Sequence, residues 1–171
     1  MIKYDLNYYE KMLRQNSRSA EKIAKVRWNF IRQLNPRFVL DFGSGVGWFR
    51  AYKPEGIEVD SFDIGPYPQT GILRDYYNLI CFWDVLEHIS GFDSIKDVLT
   101  LTDYVALCVP IKPEKALLET WKHFKPGEHL NYFTEKSLDE TFKKYSFHLL
   151  AKASPECPPR EDVLSFIYIR A

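Results

Sequence analysis

A glycine-rich run near the start of the chain contains the residue types that could bring bare backbone close to a ligand. The run follows an apolar segment and is Asp41-Phe42-Gly43-Ser44-Gly45-Val46-Gly47. Because glycine has no Cβ, the chain can turn tightly here and present N–H groups to a bound group. We expect the turn to link a strand to a helix and to hold a nucleotide-like cofactor across the strand ends.

The spacing of these glycines separates two classes of cofactor. Dinucleotide-binding folds use G-x-G-x-x-G, which counted from Gly43 would place the third glycine at position 48. That position is Trp48, and the pattern is instead an acid followed by G-x-G-x-G. The departure disfavours a nicotinamide dinucleotide. A glycine turn that binds no ligand stays open as the alternative.

Asp63 is the second candidate for chemistry, since it lies 16 residues after Gly47 and ends the next predicted strand. A carboxylate at that place can accept two hydrogen bonds from a ribose diol. Asp60 competes for this role, although it lies in the middle of the strand. A turn-capping role for Asp63 is the structural alternative.

Three segments together resemble class I S-adenosylmethionine (SAM) dependent methyltransferases. Residues 38–47 followed by Asp63 are similar to the SAM site of that family. Residues 84–89, with the sequence D-V-L-E-H-I, resemble a signature of the branch that includes quinone O-methyltransferases and many bacterial and phage proteins of unknown substrate. Residues 128–138 are similar to the segment that follows the fifth strand in the same branch.

The resemblance implies a cofactor, a product and a fold. SAM is the expected cofactor and S-adenosylhomocysteine the expected product, on a seven-stranded Rossmann-like sheet whose last strand is antiparallel. The residues expected to contact SAM are Asp41, Gly43, Ser44, Gly45, Gly47, Asp63, Ile64, Trp83 and Asp84.

The chain departs from the family between the second and fourth strands of the family's fold. Only fourteen Pro-rich residues separate Asp63 from Asn78, where family members place a helix and an edge strand. The shortened region predicts an adenine pocket that is open or built differently. Tyr67, Ile64 or Trp83 is then expected to stack on the base.

Histidines are the candidate residues for positioning or deprotonating the methyl acceptor. Methyl transfer from a sulfonium needs mainly positioning, and a base only where the acceptor loses a proton during attack. His129, in a loop after the predicted strand 104–109, and His88, after strand 79–83, are the candidate catalytic residues. Packing or capping roles are the alternatives for both. Asp84 and Glu87 are expected to orient the methionine amine or the acceptor, or to cap the turn.

The elements that position these residues alternate between helix and strand. Helical spacing covers residues 4–34 and ends at Asn35-Pro36. Apolar runs at 37–42, 57–62, 79–83 and 104–109 predict parallel strands covered on both faces, with a helix at 137–144. Runs at 147–153 and 163–169, joined by a Pro-rich turn, predict an antiparallel hairpin at the edge. The fold class is α/β, as one domain with a helical segment 1–35 and a core 36–171.

The composition of the chain limits the classes of molecule that it is expected to bind. Formal net charge is zero, so nucleic acid is not supported and a small-molecule acceptor is favoured. The basic stretch between Arg14 and Arg32, which includes Arg27, is interpreted as a solvated helix face. Three cysteines without ligand spacing argue against zinc, and no metal site is predicted. No signal peptide or membrane span is expected, so the predicted location is the cytoplasm.

Two functions from different classes remain after this reasoning. The first is a SAM-dependent methyltransferase that acts on an oxygen or nitrogen of an unidentified acceptor. The second is a non-catalytic or degenerate SAM-fold protein that acts as a binding or partner subunit. The intact glycine turn and Asp63 favour the first function, whereas the short segment after Asp63 favours the second.

Overall fold

Two helices precede the sheet where the spacing of residues 4–34 predicts helical structure. The computed structural model describes residues 5–14, 17–66 and 69–171. Helix α1 spans Leu6–Arg14 and helix α2 spans Ser17–Ile31, with a 3-10 turn at Arg32–Leu34. Asn35 has a left-handed φ of 44°, and its N–H donates to the Arg32 carbonyl at 3.0 Å. This left-handed residue ends the helical segment at the predicted place.

The sheet is mostly parallel and ends in an antiparallel hairpin, as predicted. Its strands are β1 (Phe38–Phe42), β2 (Glu58–Phe62), β3 (Leu79–Trp83), β4 (Tyr104–Pro110), β5 (Phe147–Ala153) and β6 (Val163–Arg170). Their spatial order is β2-β1-β3-β4-β6-β5. Strands β1 to β4 are mutually parallel, whereas β6 is antiparallel to β4 and to β5. The order reverses direction next to β1, which is where α/β sheets of this kind bind ligands.

Both faces of the central strands are covered, which explains their continuous apolar runs. On one face, Leu40, Ile80 and Phe82 pack with residues of helices α4 (Lys96–Leu99) and α5 (Glu135–Lys143). On the other face, the core includes Trp28, Phe49 and Trp83, and thus helices α2 and α3 (Trp48–Ala51). Helix α5 begins at Glu135, two residues earlier than predicted, and its N-cap Thr134 forms a reciprocal capping box with Ser137.

The described residues form six strands rather than the seven that the resemblance implies. The fourteen residues after Asp63 are too few for both a helix and a strand. Instead, the Ser61 N–H donates to Thr70 Oγ1 at 2.7 Å, and the Gly71 N–H donates to the Ser61 carbonyl at 2.9 Å. These two bonds satisfy the backbone groups of Ser61 on the outer edge of β2 without a further strand.

The sequence predicts no membrane span, and the helices of the structure were compared with the length and apolar character that such a span requires. Across residues 5–14, 17–66 and 69–171, no helix has both the length and the apolar character that a membrane crossing requires.

Candidate active site

A cavity of about 580 Å³ opens where the carboxyl ends of β1, β2 and β3 meet. Eight of the nine residues predicted to contact the cofactor line it: Asp41, Gly43, Ser44, Gly45, Asp63, Ile64, Trp83 and Asp84. The ninth, Gly47, lies outside the lining and caps α3 with a φ of 80°. His88 also lines the cavity. The structure therefore brings the predicted residues to one place, although their roles stay predictions.

The glycine turn is tied to the end of β2 by its own backbone. The N–H groups of Gly43 and Ser44 donate to the Phe62 carbonyl at 2.7 and 3.1 Å. Gly43 has a φ of 79°, and a Cβ at this position would lie 2.3 Å from a methyl carbon of Val85. Only glycine fits this close approach, because the backbone conformation and the contact both exclude a side chain. A Cβ on Gly45 would meet nothing closer than Met12, at 3.8 Å.

Asp63 lies at the cavity, but its carboxylate already has protein partners. The Tyr9 hydroxyl and the Gly65 N–H donate to Oδ1 at 2.6 and 2.8 Å, and the Gly45 N–H donates to Oδ2 at 2.7 Å. A carboxylate has about four acceptor positions, so one on Oδ2 is left for a ligand. The competitor Asp60 instead accepts a hydrogen bond from the Tyr77 hydroxyl at 2.8 Å, away from the cavity lining.

Asp41 differs from Asp63, because one of its oxygens has no hydrogen-bond partner. The side chain is 2% exposed and lines the cavity, and Oδ2 is both buried and unpartnered in the structure. Burial raises the pKa of Asp41 to about 7, with the nearby Arg27 opposing the shift and Asp63 adding to it. A buried acid in this condition is poised to receive a cationic group from a ligand.

Asp84 is held by two arginines that sequence reasoning did not connect to it. Arg27 of α2 donates to Asp84 Oδ2 at 2.7 Å, and Arg160 donates to Oδ1 at 2.6 Å. The same arginines bind Glu156, whose side chain is 1% exposed. Burial alone would raise the pKa of Asp84, but Arg27 and Arg160 outweigh it and hold that pKa well below its usual range. We call these four residues the arginine network.

The arginine network corrects one expectation and explains a strained residue. The Arg27 side chain is only 12% exposed, so its predicted place on a solvated helix face is wrong. Asp84 has a left-handed φ of 60°, which a residue with a side chain adopts at a cost. The two arginines stabilise that conformation. Nothing in the local sequence signals the network, because Glu156 and Arg160 lie in the Pro-rich turn far along the chain.

Glu87, His88 and His129 form a second cluster beside the cavity. The two histidine rings meet edge to face with centroids 4.9 Å apart, and His88 Nε2 lies 4.0 Å from Glu87 Oε1. Glu87 is 3% exposed; burial raises its pKa to about 8, and the charge of Asp84 adds to the shift. Burial, with a smaller contribution from His88, lowers the pKa of His129. Both candidate catalytic histidines are thus close together, although only His88 is among the residues that line the cavity.

Aromatic and apolar side chains complete the cavity wall. Trp83 is 5% exposed and lies between the Phe49 ring, at 5.4 Å, and the Arg27 guanidinium, at 5.1 Å. Ile64 is 81% exposed and lines the mouth of the cavity. Tyr8 of α1 also lines it, so the N-terminal helix forms part of the wall. The third stacking candidate, Tyr67, lies outside the described residues.

This chain shares its fold with three methyltransferases of known structure. The 1,6-didemethyltoxoflavin N1-methyltransferase of Burkholderia thailandensis was solved with bound 1,6-didemethyltoxoflavin and S-adenosylhomocysteine. It is 15% identical to this chain with a TM-score of 0.71, and the match covers 97% of this chain and 85% of that one. The magnesium protoporphyrin IX methyltransferase of Synechocystis with bound S-adenosylhomocysteine is 17% identical with a TM-score of 0.65. That match covers 90% of this chain and 84% of the other. A SAM-dependent methyltransferase of Clostridium acetobutylicum is 10% identical with a TM-score of 0.63, and the match covers 96% of this chain and 97% of the other.

Comparison with models of sequence families shows to which family the chain belongs. No curated protein matches the sequence. A family profile described as "Methyltransferase domain" matches residues 10–152, which include the glycine turn, Asp63 and the cluster at residues 84–88. The resemblance to methyltransferases inferred from the sequence is confirmed at the level of the family, whereas the quinone-methyltransferase branch stays a prediction. The chain therefore belongs to the methyltransferase-domain family.

Proposed function

We propose that this protein transfers a methyl group from SAM to an oxygen or nitrogen atom of a small molecule. The observation that carries the proposal is the unpartnered, buried Oδ2 of Asp41 in the wall of a cavity formed by a glycine turn. SAM has a cationic ammonium group that such a carboxylate can receive. Neighbours with the same fold were solved with S-adenosylhomocysteine, which supports this cofactor.

The described residues fit SAM in three respects. Asp41 would receive the ammonium group, and the remaining acceptor position on Asp63 Oδ2 would receive a ribose hydroxyl. Ile64 and Trp83 offer apolar surface for the adenine. The cavity of about 580 Å³ is within the usual size for cofactor pockets.

SAM supplies a methyl group that is already activated by its sulfonium sulfur. The work left to the protein is to orient the two reactants and to keep water away from them. The Gly43–Phe62 and Ser44–Phe62 hydrogen bonds fix the turn, and the arginine network fixes the end of β3. We assign contact with the acceptor to His88, because it lines the cavity.

The acceptor is proposed to be a small, largely apolar molecule. The cavity wall includes the aromatic residues Tyr8, Trp48 and Trp83, which suit a flat ligand. Two enzymes with the same fold are named for 1,6-didemethyltoxoflavin and magnesium protoporphyrin IX, which are flat ring systems. A net charge of zero gives no support to nucleic acid. The cytoplasmic location remains part of this proposal.

A second candidate function is a non-catalytic partner subunit. It is favoured by Asp63, because the Tyr9 hydroxyl takes an acceptor position on Oδ1, so a second ribose hydroxyl could bind this carboxylate only by displacing it. Displacing this hydroxyl costs free energy and therefore weakens the binding of SAM. If the cost is not recovered, the protein would keep the fold without the activity.

Calorimetric titration with S-adenosylhomocysteine tests the first function, with NADH as the control ligand. We expect a dissociation constant on the order of 1–10 μM for S-adenosylhomocysteine and no binding of NADH. Asp41→Asn should weaken binding by roughly 10- to 100-fold, the effect of losing a hydrogen bond to a charged group. Asp75→Asn, at an exposed carboxylate outside the cavity lining, is the matched control. Failure of the wild-type protein to bind either ligand would favour the partner-subunit function.

A further inference from the structure

The cluster of Glu87, His88 and His129 holds three donor groups of the kinds that bind transition metals. One ligand atom from each residue can be chosen so that all three lie within 4.8 Å of one another. A tetrahedral zinc ion with bonds of about 2.0–2.1 Å would separate its ligands by roughly 3.4 Å, so each side chain needs to move by about 1 Å or less. Two imidazoles and one carboxylate are a common ligand set of catalytic zinc.

The backbone fixes the position of His129 relative to the other two residues. The N–H groups of Leu130 and Asn131 donate to the Glu87 carbonyl at 2.7 and 3.1 Å. The Asn131 side chain donates to the carbonyls of Leu86 and Ile89 at 2.9 and 2.8 Å. Four hydrogen bonds therefore join the loop after β4 to the turn after β3. The cluster is built into the fold rather than formed by mobile surface side chains.

Glu87 provides an independent sign that a ligand is missing from this cluster. Its Oε2 is buried and has no hydrogen-bond partner in the structure, and the residue is 3% exposed. Leaving a carboxylate oxygen buried without a partner costs free energy. The contact of Oε1 with His88 does not compensate, because 4.0 Å is too long for a hydrogen bond. A cation between the three side chains would satisfy this group.

A backbone carbonyl orients the ring of His88. His88 Nδ1 lies 3.0 Å from the Glu128 carbonyl, which can only accept, so the proton of the neutral ring is on Nδ1. The lone pair of that ring is then on Nε2, the atom that faces Glu87. Metal-binding histidines usually have their other ring nitrogen fixed in this way.

We propose that Glu87, His88 and His129 bind one divalent transition-metal ion of the zinc class, with an open coordination position facing the cavity. Asp84 is excluded from the ligand set, because its oxygens bind Arg27 and Arg160. The open position is assigned to the cavity side because His88 lines the cavity, whereas Glu87 and His129 are not among the lining residues. Sequence reasoning predicted no metal because it examined cysteine spacing, and this cluster contains no cysteine.

The metal narrows the acceptor class, and this step rests on the proposed function. An ion at the cavity wall attracts a hydroxyl oxygen and lowers the pKa of that hydroxyl, so its proton passes to solvent water. The oxygen then attacks the methyl carbon of SAM; the new O–C bond forms as the C–S bond breaks, and neutral S-adenosylhomocysteine leaves. The acceptor is therefore an alcohol or phenol rather than an amine.

Cobalt(II) titration of tag-free, chelator-treated protein tests the metal site, with visible absorption and calorimetry as readouts. We expect one equivalent to bind and to give the d–d absorption bands of a nitrogen- and oxygen-ligated ion. His88→Gln, His129→Gln and Glu87→Gln should each abolish stoichiometric binding. His148→Gln, at an exposed histidine of β5, is the matched control and should bind as the wild type does. Circular dichroism identifies any variant that fails to fold, and the partly exposed His88 keeps the test informative if a buried variant fails.

Two outcomes overturn the proposal: no stoichiometric binding by the wild-type protein, or binding that persists in folded His88→Gln and His129→Gln. The same protein is also titrated with S-adenosylhomocysteine in the presence and absence of the metal. Metal binding without S-adenosylhomocysteine binding would overturn the proposed function and leave the metal site standing. The converse result would overturn the metal site alone.

Discussion

Four carboxylates surround or adjoin one cavity, and they fall into two pairs. Asp63 and Asp84 accept hydrogen bonds from protein groups on both of their oxygens. Asp41 and Glu87 are more deeply buried, yet each keeps one oxygen without a partner in the described structure. We call the first pair the partnered carboxylates and the second the open carboxylates. We infer that the protein contacts of the first pair support the fold, although Asp63 keeps one acceptor position for a ribose hydroxyl, and that the unpartnered oxygens of the second pair are kept for ligands.

The largest expected effect compares Asp84 with Glu87, which are three residues apart in the chain. Asp84→Asn should lower the free energy of unfolding by about 3–5 kcal/mol, because it leaves Arg27 and Arg160 partly unpaired in a buried place. Glu87→Gln should change it by less than about 1 kcal/mol in metal-free protein, since the replaced oxygen loses no hydrogen bond. Urea unfolding at pH 7 measures both. Equal losses would end the distinction between the two pairs.

Gly43 tests whether both pairs depend on the same turn. It lies two residues after Asp41 and against Val85, the neighbour of Asp84. Gly43→Ala should destabilise the fold by about 2–4 kcal/mol, through overpacking and a left-handed φ, and should abolish S-adenosylhomocysteine binding. Gly47→Ala, with a similar φ and nothing within 4 Å of an added Cβ, should cost only about 1–2 kcal/mol. Thermal unfolding and calorimetry give the two readouts, and similar losses for the two variants would contradict the role of the Val85 contact.

The pH dependence of binding sharpens the assignment of Asp41. Its raised pKa of about 7 means that the free protein holds a proton there at pH 6, which a cationic ligand must displace. Affinity for S-adenosylhomocysteine should therefore rise about tenfold from pH 6 to pH 8, with a proton released on binding near pH 6.5. Without ligand, the same shift makes the fold less stable as pH rises from about 4 to about 7, because the folded state binds more protons there.

Calorimetry in buffers of different ionisation enthalpy measures the released proton directly. In Asp41→Asn the affinity should be independent of pH across the same range. A pH-dependent affinity that survives this substitution would assign the titrating group elsewhere.

The smallest effect concerns Tyr9, which partners Asp63. Tyr9→Phe removes the hydroxyl from Oδ1 and leaves the Gly65 N–H as the hydrogen-bond donor there. S-adenosylhomocysteine should bind about fivefold more tightly, the equivalent of about 1 kcal/mol for one hydrogen bond. Tyr8→Phe, on the same helix and cavity wall, is the matched control. Weaker binding by Tyr9→Phe would mean that the hydroxyl supports the ligand rather than competing with it.

The sequence was sufficient for local features and for elements in which each residue follows a short-range rule. The buried strands, the Asn35-Pro36 helix end and the final hairpin were predicted correctly because periodicity and turn chemistry encode them locally. The gathering of the predicted residues at one cavity followed from the rule that parallel strands share a carboxyl edge.

The sequence was insufficient where function depends on partners far apart in the chain. Arg27 has the spacing of an exposed basic helix residue, and only the folded chain places it against Glu156, 129 residues away. The same holds for Tyr9 and Asp63, which are 54 residues apart. Whether a carboxylate is partnered or open is decided by such contacts. Sequence reasoning could therefore identify the acids around the cavity but could not divide their roles.

A structure of the protein with S-adenosylhomocysteine tests the central claim most directly, because it shows which carboxylate receives the ligand. We expect the ligand in the cavity beside the glycine turn, with its ammonium group within hydrogen-bonding distance of Asp41 Oδ2 and the arginine network unchanged. A ligand bound outside the cavity, or an ammonium group that displaces Arg27 or Arg160 from Asp84, would contradict it.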